Sequence, residues 1–229
     1  MGQQFFYQPF LNALVFFYSY IPFEKLGLAI IFVTLAIRLI LFPLTLSSLK
    51  YQENMKKMQP EIDKIKKKYA KDKQKLQEAQ MKLFSENKIN PITGCLPILI
   101  QLPILLALYS VFKAFNADNI QTINDVLYSF VPKLTTIEPN FLGIDLTVPD
   151  KLYILPVLAG ATQFIQSKMM LPKSDDPSQK AMQQVTYFMP IILIVFSVSL
   201  PAALPLYWTV GALFAIVQTY LMRKNKNGS

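Results

Sequence analysis

The sequence predicts an all-α, polytopic membrane protein: a core of five transmembrane helices, a cytoplasmic helical hairpin and an interfacial helix at the N-terminus. Three observations carry that prediction. The 229 residues are 52% hydrophobic and only 16% charged, with a mean hydropathy of +0.32, a balance foreign to ordinary soluble domains. The apolar residues gather into long runs, close to the roughly 20 residues that a helix needs to cross a hydrocarbon core. The connections between those runs alternate between basic and acidic, although the chain as a whole carries +9.

Residues 1–25 contain QPFLNALVFFYSYIPF, aromatic and apolar but interrupted by Gln8, Pro9, Asn12 and Pro22. The segment lacks the basic start of a secretory signal peptide. It reads as an interfacial helix on the outer leaflet, with a sixth span as the alternative. The first span, 26–47, holds LAIIFVTLAIRLILFPLTL with Arg38 near its middle. An arginine at mid-span costs at least about 2.5–3.5 kcal/mol on insertion scales, which marks it as a functional candidate. Snorkelling is the plainer explanation. Yet Arg38 precedes the polar Ser47-Ser48 edge by nine residues, about 13 Å of helix, and its side chain covers roughly half of that. Water or protein must come to it.

Residues 48–90 carry twelve lysines against six acids. Met55, Met58, Ile62, Ile65 and Tyr69 alternate spacings of three and four, a narrow coiled-coil seam. Leu76, Ala79 or Gln80, and Leu83 continue it after a break at 70–73. Two antiparallel helices, about 50–70 and 73–87, are expected to bury these seams together and turn lysines outward. Pro60 either kinks the first or starts its main part, and Asn90-Pro91 stops the second. The lysines act as a solvated face and topology signal, or as a surface for anionic headgroups or ribosomal RNA. No stacking aromatics line that face, so sequence-specific RNA reading is not expected, and neither is DNA.

Span 91–113 contains Gln101, and spans 151–168, 184–200 and 203–222 follow. The 114–150 connection holds Asp118, Asp125, Glu138, Asp145 and Asp150 against Lys133 alone. The 169–183 loop holds Lys173 and Lys180, and the 223–229 tail Arg223, Lys224 and Lys226. Basic residues favour the cytoplasmic side, so the C-terminus is expected inside and the N-terminus outside. An N-terminus outside needs an earlier export signal, so a segment upstream of Met1-Gly2 is expected.

The chemistry is defined by what the spans omit. None contains aspartate, glutamate or histidine, and the chain has no histidine. Arg38 therefore has no intramembrane counterion of its own. Proton-coupled transport needs a titratable group in the membrane, and serine–histidine or two-aspartate proteolysis needs its own residues. Cys95 is the single cysteine, so no internal disulfide forms. No phosphate-binding glycine loop or metal-ligand cluster is present; no enzyme activity, cofactor or metal is expected.

Neutral polar residues remain. Thr34 lies one turn before Arg38, Gln163 and Gln166 form a stripe with Ala159 and Thr162, and Gln101 interrupts the second span. Singly, such residues often serve as interhelical hydrogen-bond glue. Beside an unpaired arginine they fit the wall of a water-filled recess, which Pro97, Pro103, Pro156 and Pro190 help to hold open by disturbing helix packing. The expectation is a positive groove open to the cytoplasm, whose anion arrives with a client.

The order KYQENMKKMQPEIDKIKKKY, NPITGCLPILIQLPILLALY at 90–109 and LPLYWTVGALFAIVQ at 204–218 resembles the YidC/Oxa/Alb insertases, from about residue 20 onward. The resemblance implies five core spans around a hydrophilic groove that is open to cytoplasm and lipid and closed on the outer side. It implies that Arg38 is the groove arginine, with Thr34, Gln163 and Trp208 as neighbours; Trp208 also suits an interfacial anchor. Some family members have a further N-terminal span and a large periplasmic domain, others a long basic tail. Here RKNKNGS leaves ribosome contact to the hairpin and the 169–183 loop. The expected activity is insertion and folding of nascent membrane proteins in a bacterial inner membrane, among lipids, with ribosome and Sec-type translocon as further partners. A membrane scaffold or assembly chaperone is the rival from another class. An anion channel is a third, disfavoured because no basic ring lines a whole pore.

Overall fold

Backbone groups in lipid must satisfy one another, and a chain this apolar does so by forming helices. The structure is a computed structural model that describes residues 2–21, 26–87, 89–90, 92–170 and 177–227. Met1, Pro22, Pro91 and Lys173, named above, lie outside the described residues. The fold is mostly helical, as an all-α membrane protein should be. The chain forms two compact units: Met1–Ile40, Leu102–Leu171 and Gln183–Ser229 in the first, Leu41–Gln101 and Pro172–Met182 in the second.

In the first unit, α1 (Gly2–Tyr20) packs against α2 (Leu26–Ile40), and α9 (Ala203–Asn227) packs against both α2 and α7 (Ile154–Met170). Most of α5 (Ile92–Ala114) and α8 (Pro177–Ser197) belongs here too. Gly160 on α7 lets α8 approach, since a Cβ there would stand 3.1 Å from the Pro190 carbonyl and closer still to Ile194. Helices α7 and α9 run parallel. Their starts are tied where Ala202 and Ala203 N–H donate to the Val148 and Leu146 carbonyls, and their ends where Arg223 donates to the Met169 carbonyl. Over Ala203–Lys224, α9 is the one helix among the described residues long and apolar enough to cross a membrane alone. Leu99–Ala114 and Thr186–Ser197 are shorter apolar helices.

Helix α1 explains the polar interruptions of the N-terminal segment. It continues through Pro9 and buries Leu11, Leu14, Val15 and Tyr18, while Phe16 and Tyr20 stay exposed. Gln8 and Asn12, one turn apart, both donate to the Val126 carbonyl, and Asn12 Oδ1 accepts from Tyr128 N–H at 2.6 Å. The Tyr18 hydroxyl accepts from Glu138 N–H. The 114–150 connection is thus ordered against α1. It contains α6 (Ile120–Asp125) and the short antiparallel strands β1 (Asn140–Phe141) and β2 (Ile144–Asp145), turned through Leu142 and Gly143 at positive φ.

The second unit holds α3 (Phe42–Lys68) and α4 (Lys73–Glu86), which pack on each other across a four-residue turn. Met58 and Ile62 of the predicted seam are buried, and Met55, Ile65, Leu76, Ala79, Gln80 and Leu83 are half-buried. Lys57, Lys64, Lys67, Lys73, Lys75 and Lys82 are exposed. Asp72 caps α4 by accepting from Lys75 N–H at 3.0 Å. Helix α3 runs through Pro60 without interruption.

The apolar stretch read as one span over 26–47 is divided at Leu41, between α2 and α3. Pro43 explains the break: it has no N–H for the Leu39 carbonyl, and its ring crowds that carbonyl. Proline is tolerated in a first helical turn, so α3 restarts there.

Candidate functional site

Helix α2 buries Leu26, Ala29, Ile30, Val33, Thr34 and Ile37, so one face is committed to the protein. Arg38 follows Thr34 by one turn on that face. It is half-buried, and its Nε is sealed from solvent with no hydrogen-bond partner. No ion pair reaches Arg38 among the described residues.

The guanidinium rests on α9 at Gly211. A Cβ there would stand 2.5 Å from Nη2, 3.0 Å from Nε and 3.1 Å from Cζ of Arg38. Glycine alone leaves room for a planar cation at that distance from a helix backbone. Gly211 lies eight residues into α9, about 12 Å, and Arg38 lies in the last turn of α2, two residues before its end at Ile40.

The other expected groove residues fall into different settings. Thr34 is fully buried and its hydroxyl donates to the Ile30 carbonyl at 2.6 Å, one turn back on its own helix. Thr162 does the same toward Leu158 and Ala159. Gln163 is half-buried and its amide donates to Ser167 Oγ at 3.4 Å, one turn on. Gln166 is half-buried on the same helix. Trp208 is half-buried on α9, three residues before Gly211. Gln101 is half-buried and belongs to the second unit.

Gln218, seven residues after Gly211 on α9, is 6% exposed, with Nε2 buried and unpartnered. The sequence reading overlooked Gln218 and Gly211. The signals were present: a lone glutamine and a lone glycine in an apolar run, seven residues apart and so on one face of α9.

Arg38 and Gln218 offer hydrogen-bond donors, and no acid faces them from the helices that build the first unit. Such an arrangement attracts anions and carbonyl oxygens.

Known proteins resemble this chain over most of its length. The family described as "60Kd inner membrane protein" matches residues 16–228. The membrane protein insertase YidC of Fusobacterium nucleatum is 43% identical over 198 residues, covering 86% of each chain. That of Clostridium tetani is 44% identical over 203 residues, covering 89% of this chain and 84% of its own. The membrane protein insertase MisCA of Bacillus subtilis is 38% identical over 217 residues, 93% of this chain and 76% of its own. Matched almost end to end by a family of inner membrane proteins, and sharing about two-fifths of its residues with relatives of similar length, this chain belongs to the YidC/Oxa family.

Proposed function

We propose that this chain is a membrane protein insertase in which Arg38 receives the acidic, hydrophilic segment that a client must move across the membrane. The insertase activity rests on the relatives, which carry that name. The mechanism rests on one observation: a half-buried cation with Nε sealed and, among the described residues, no anion beside it. At 4 Å, a charge pair contributes about 1 kcal/mol in water but about 4 kcal/mol at an effective dielectric near 20, so a recessed arginine holds an acidic tail that the bulk would release.

In this reading the groove opens to the cytoplasm and to lipid. Gln218, the Gln163–Gln166 stripe and Arg38 line it. A tail held at Arg38 has a shorter hydrophobic barrier left to cross. The client's own helix then leaves sideways along α7 and α9, driven by burial of its apolar surface in lipid. The lysine-rich α3–α4 hairpin faces the cytoplasm, where each lysine near an anionic surface contributes about 1 kcal/mol. It receives nascent membrane proteins, with ribosome and Sec-type translocon as neighbours. The N-terminus is outside and the C-terminus inside.

Purified protein in liposomes, given a single-span client with an acidic N-terminal tail, tests this reading. Tail protection from external protease is expected for wild type and Arg38→Lys. It should fall about tenfold or more for Arg38→Ala with the acidic client, as the loss of one recessed charge contact implies, and little with a client whose acids are neutralised. If the client binds but its tail stays accessible in every case, the chain is an assembly chaperone that holds helices without moving tails.

A further inference from the structure

We infer that Gly211 is a positioning residue: its missing side chain forms the seat that fixes where the Arg38 cation lies. The inference rests on Arg38 being the receptor proposed above, and it adds a residue on another helix that sets the receptor's geometry.

Three atoms of one guanidinium, Nη2, Nε and Cζ, lie within 3.1 Å of the point that a Cβ at Gly211 would occupy. The planar group therefore lies against the α9 backbone. Nε has no exposed surface and no hydrogen-bond partner, so no acceptor holds it in place. Contact with the bare backbone does. Stem and helix fix the start of the side chain, and the seat fixes its end. The terminal nitrogens remain to meet an incoming anion.

An added methyl cannot coexist with this seat, because carbon–nitrogen contacts settle at about 3.5 Å or more. The guanidinium must move by about 1 Å, from the 2.5 Å that Nη2 would otherwise have. It is the end of a flexible side chain, so the helices need not separate. Gly211→Ala should thus leave the fold intact and misplace the charge. Moving a contact from 4 to 5 Å at an effective dielectric near 20 lowers acid binding about fourfold.

The chain suits a direct measurement, because Arg38 and Arg223 are its only arginines. In nanodiscs, 15N-arginine labelling gives two Nε–H signals, and Arg223→Lys identifies the Arg38 signal. Wild type should show slow exchange of that proton with water. In Gly211→Ala the signal should shift and its exchange should quicken about tenfold or more, as a sealed site opens. The Arg223 signal should stay still. In liposomes, Gly211→Ala should lose about fourfold in protection of the acidic tail and nothing with the neutralised tail. Combined with Arg38→Lys, whose slimmer end has no guanidinium to displace, it should cost nothing further.

An unmoved Arg38 signal in Gly211→Ala overturns the seat whatever the insertion result. A moved signal with undiminished insertion, where Arg38→Ala does lose insertion, overturns the positioning role. If Arg38→Ala also inserts normally, the receptor reading fails, while the moved signal still establishes the seat.

Discussion

Replacing Arg38 by methionine should make this protein more stable while disabling it. The side chain keeps a flexible aliphatic stem and loses a cation whose Nε is sealed and unpartnered. A buried polar group without a partner costs about 1–3 kcal/mol. Some packing of the guanidinium against Gly211 is lost in return, so a net gain of about 1–3 kcal/mol is expected. For a chain of this size each kcal/mol moves the unfolding midpoint by about 2–4 °C, so Tm should rise by about 2–12 °C. Trp208, the only tryptophan, lies one turn from Gly211 and reports unfolding of the α2–α9 contact by its fluorescence in nanodiscs. Insertion of acidic-tailed clients should fall in the same preparation. A drop in Tm would refute the reasoning, because removing one member of a satisfied buried ion pair costs about 3–5 kcal/mol. Arg38 would then be a structural residue with an anionic partner.

Two predictions concern the polar groups that are satisfied. Asp150 is buried and its carboxylate accepts from Leu152 N–H at 2.9 Å and Leu155 N–H at 2.8 Å, fixing the start of α7. Asp150→Ala should cost about 1–2 kcal/mol, read as a lowered Tm, with Asp150→Asn falling between the two. Asn12, 3% exposed, holds the Val126 carbonyl and Tyr128 N–H to α1. Asn12→Ala should cost about 1–3 kcal/mol and raise protease cleavage near 126–128 at least severalfold, with α1 still helical by circular dichroism.

The general class was legible because apolar runs and charge asymmetry follow from the solvent in which each segment must live. Arg38 was legible for the same reason, since an ionised group in an apolar run violates the pattern by several kcal/mol. Finer features needed coordinates. Pro43 could have been read as a kink or as a helix start, and only the structure shows the chain restarting at Phe42. Gln8 and Asn12 looked like breaks in an apolar segment, yet they hold the Val126 carbonyl more than 110 residues away. Thr34 looked like part of a polar wall, but a threonine in a helix can always turn its hydroxyl to the carbonyl four residues back, and this one does. Gly211 carries no chemistry of its own, so the sequence marks it only as a lone glycine in an apolar run and not as the seat of a cation. Its role appears only when the arginine of another helix is placed on it.

The distribution of satisfied and unsatisfied groups favours the site proposed above. Where α1, the 114–150 connection and the start of α7 meet, every named polar contact is closed. Asn12 and Asp150 are paired, Asn124 exchanges two hydrogen bonds with Leu134, and Tyr18 accepts from Glu138. Among the described residues the buried side-chain atoms without a partner are Arg38 Nε and Gln218 Nε2. Together they cost about 2–6 kcal/mol, against a total stability that is usually about 5–15 kcal/mol. A fold that closes its other buried contacts this carefully does not leave two donors open by neglect; inconsistency of this kind marks functional sites. An acid placed near Arg38 would remove the cost, but on the proposed reading it would also neutralise the charge and make the site select against acidic tails. An unpaired cation would keep the proposed receptor general: it would recognise negative charge and carbonyl oxygen, which tails of many sequences share, and no side-chain pattern that only one client would carry.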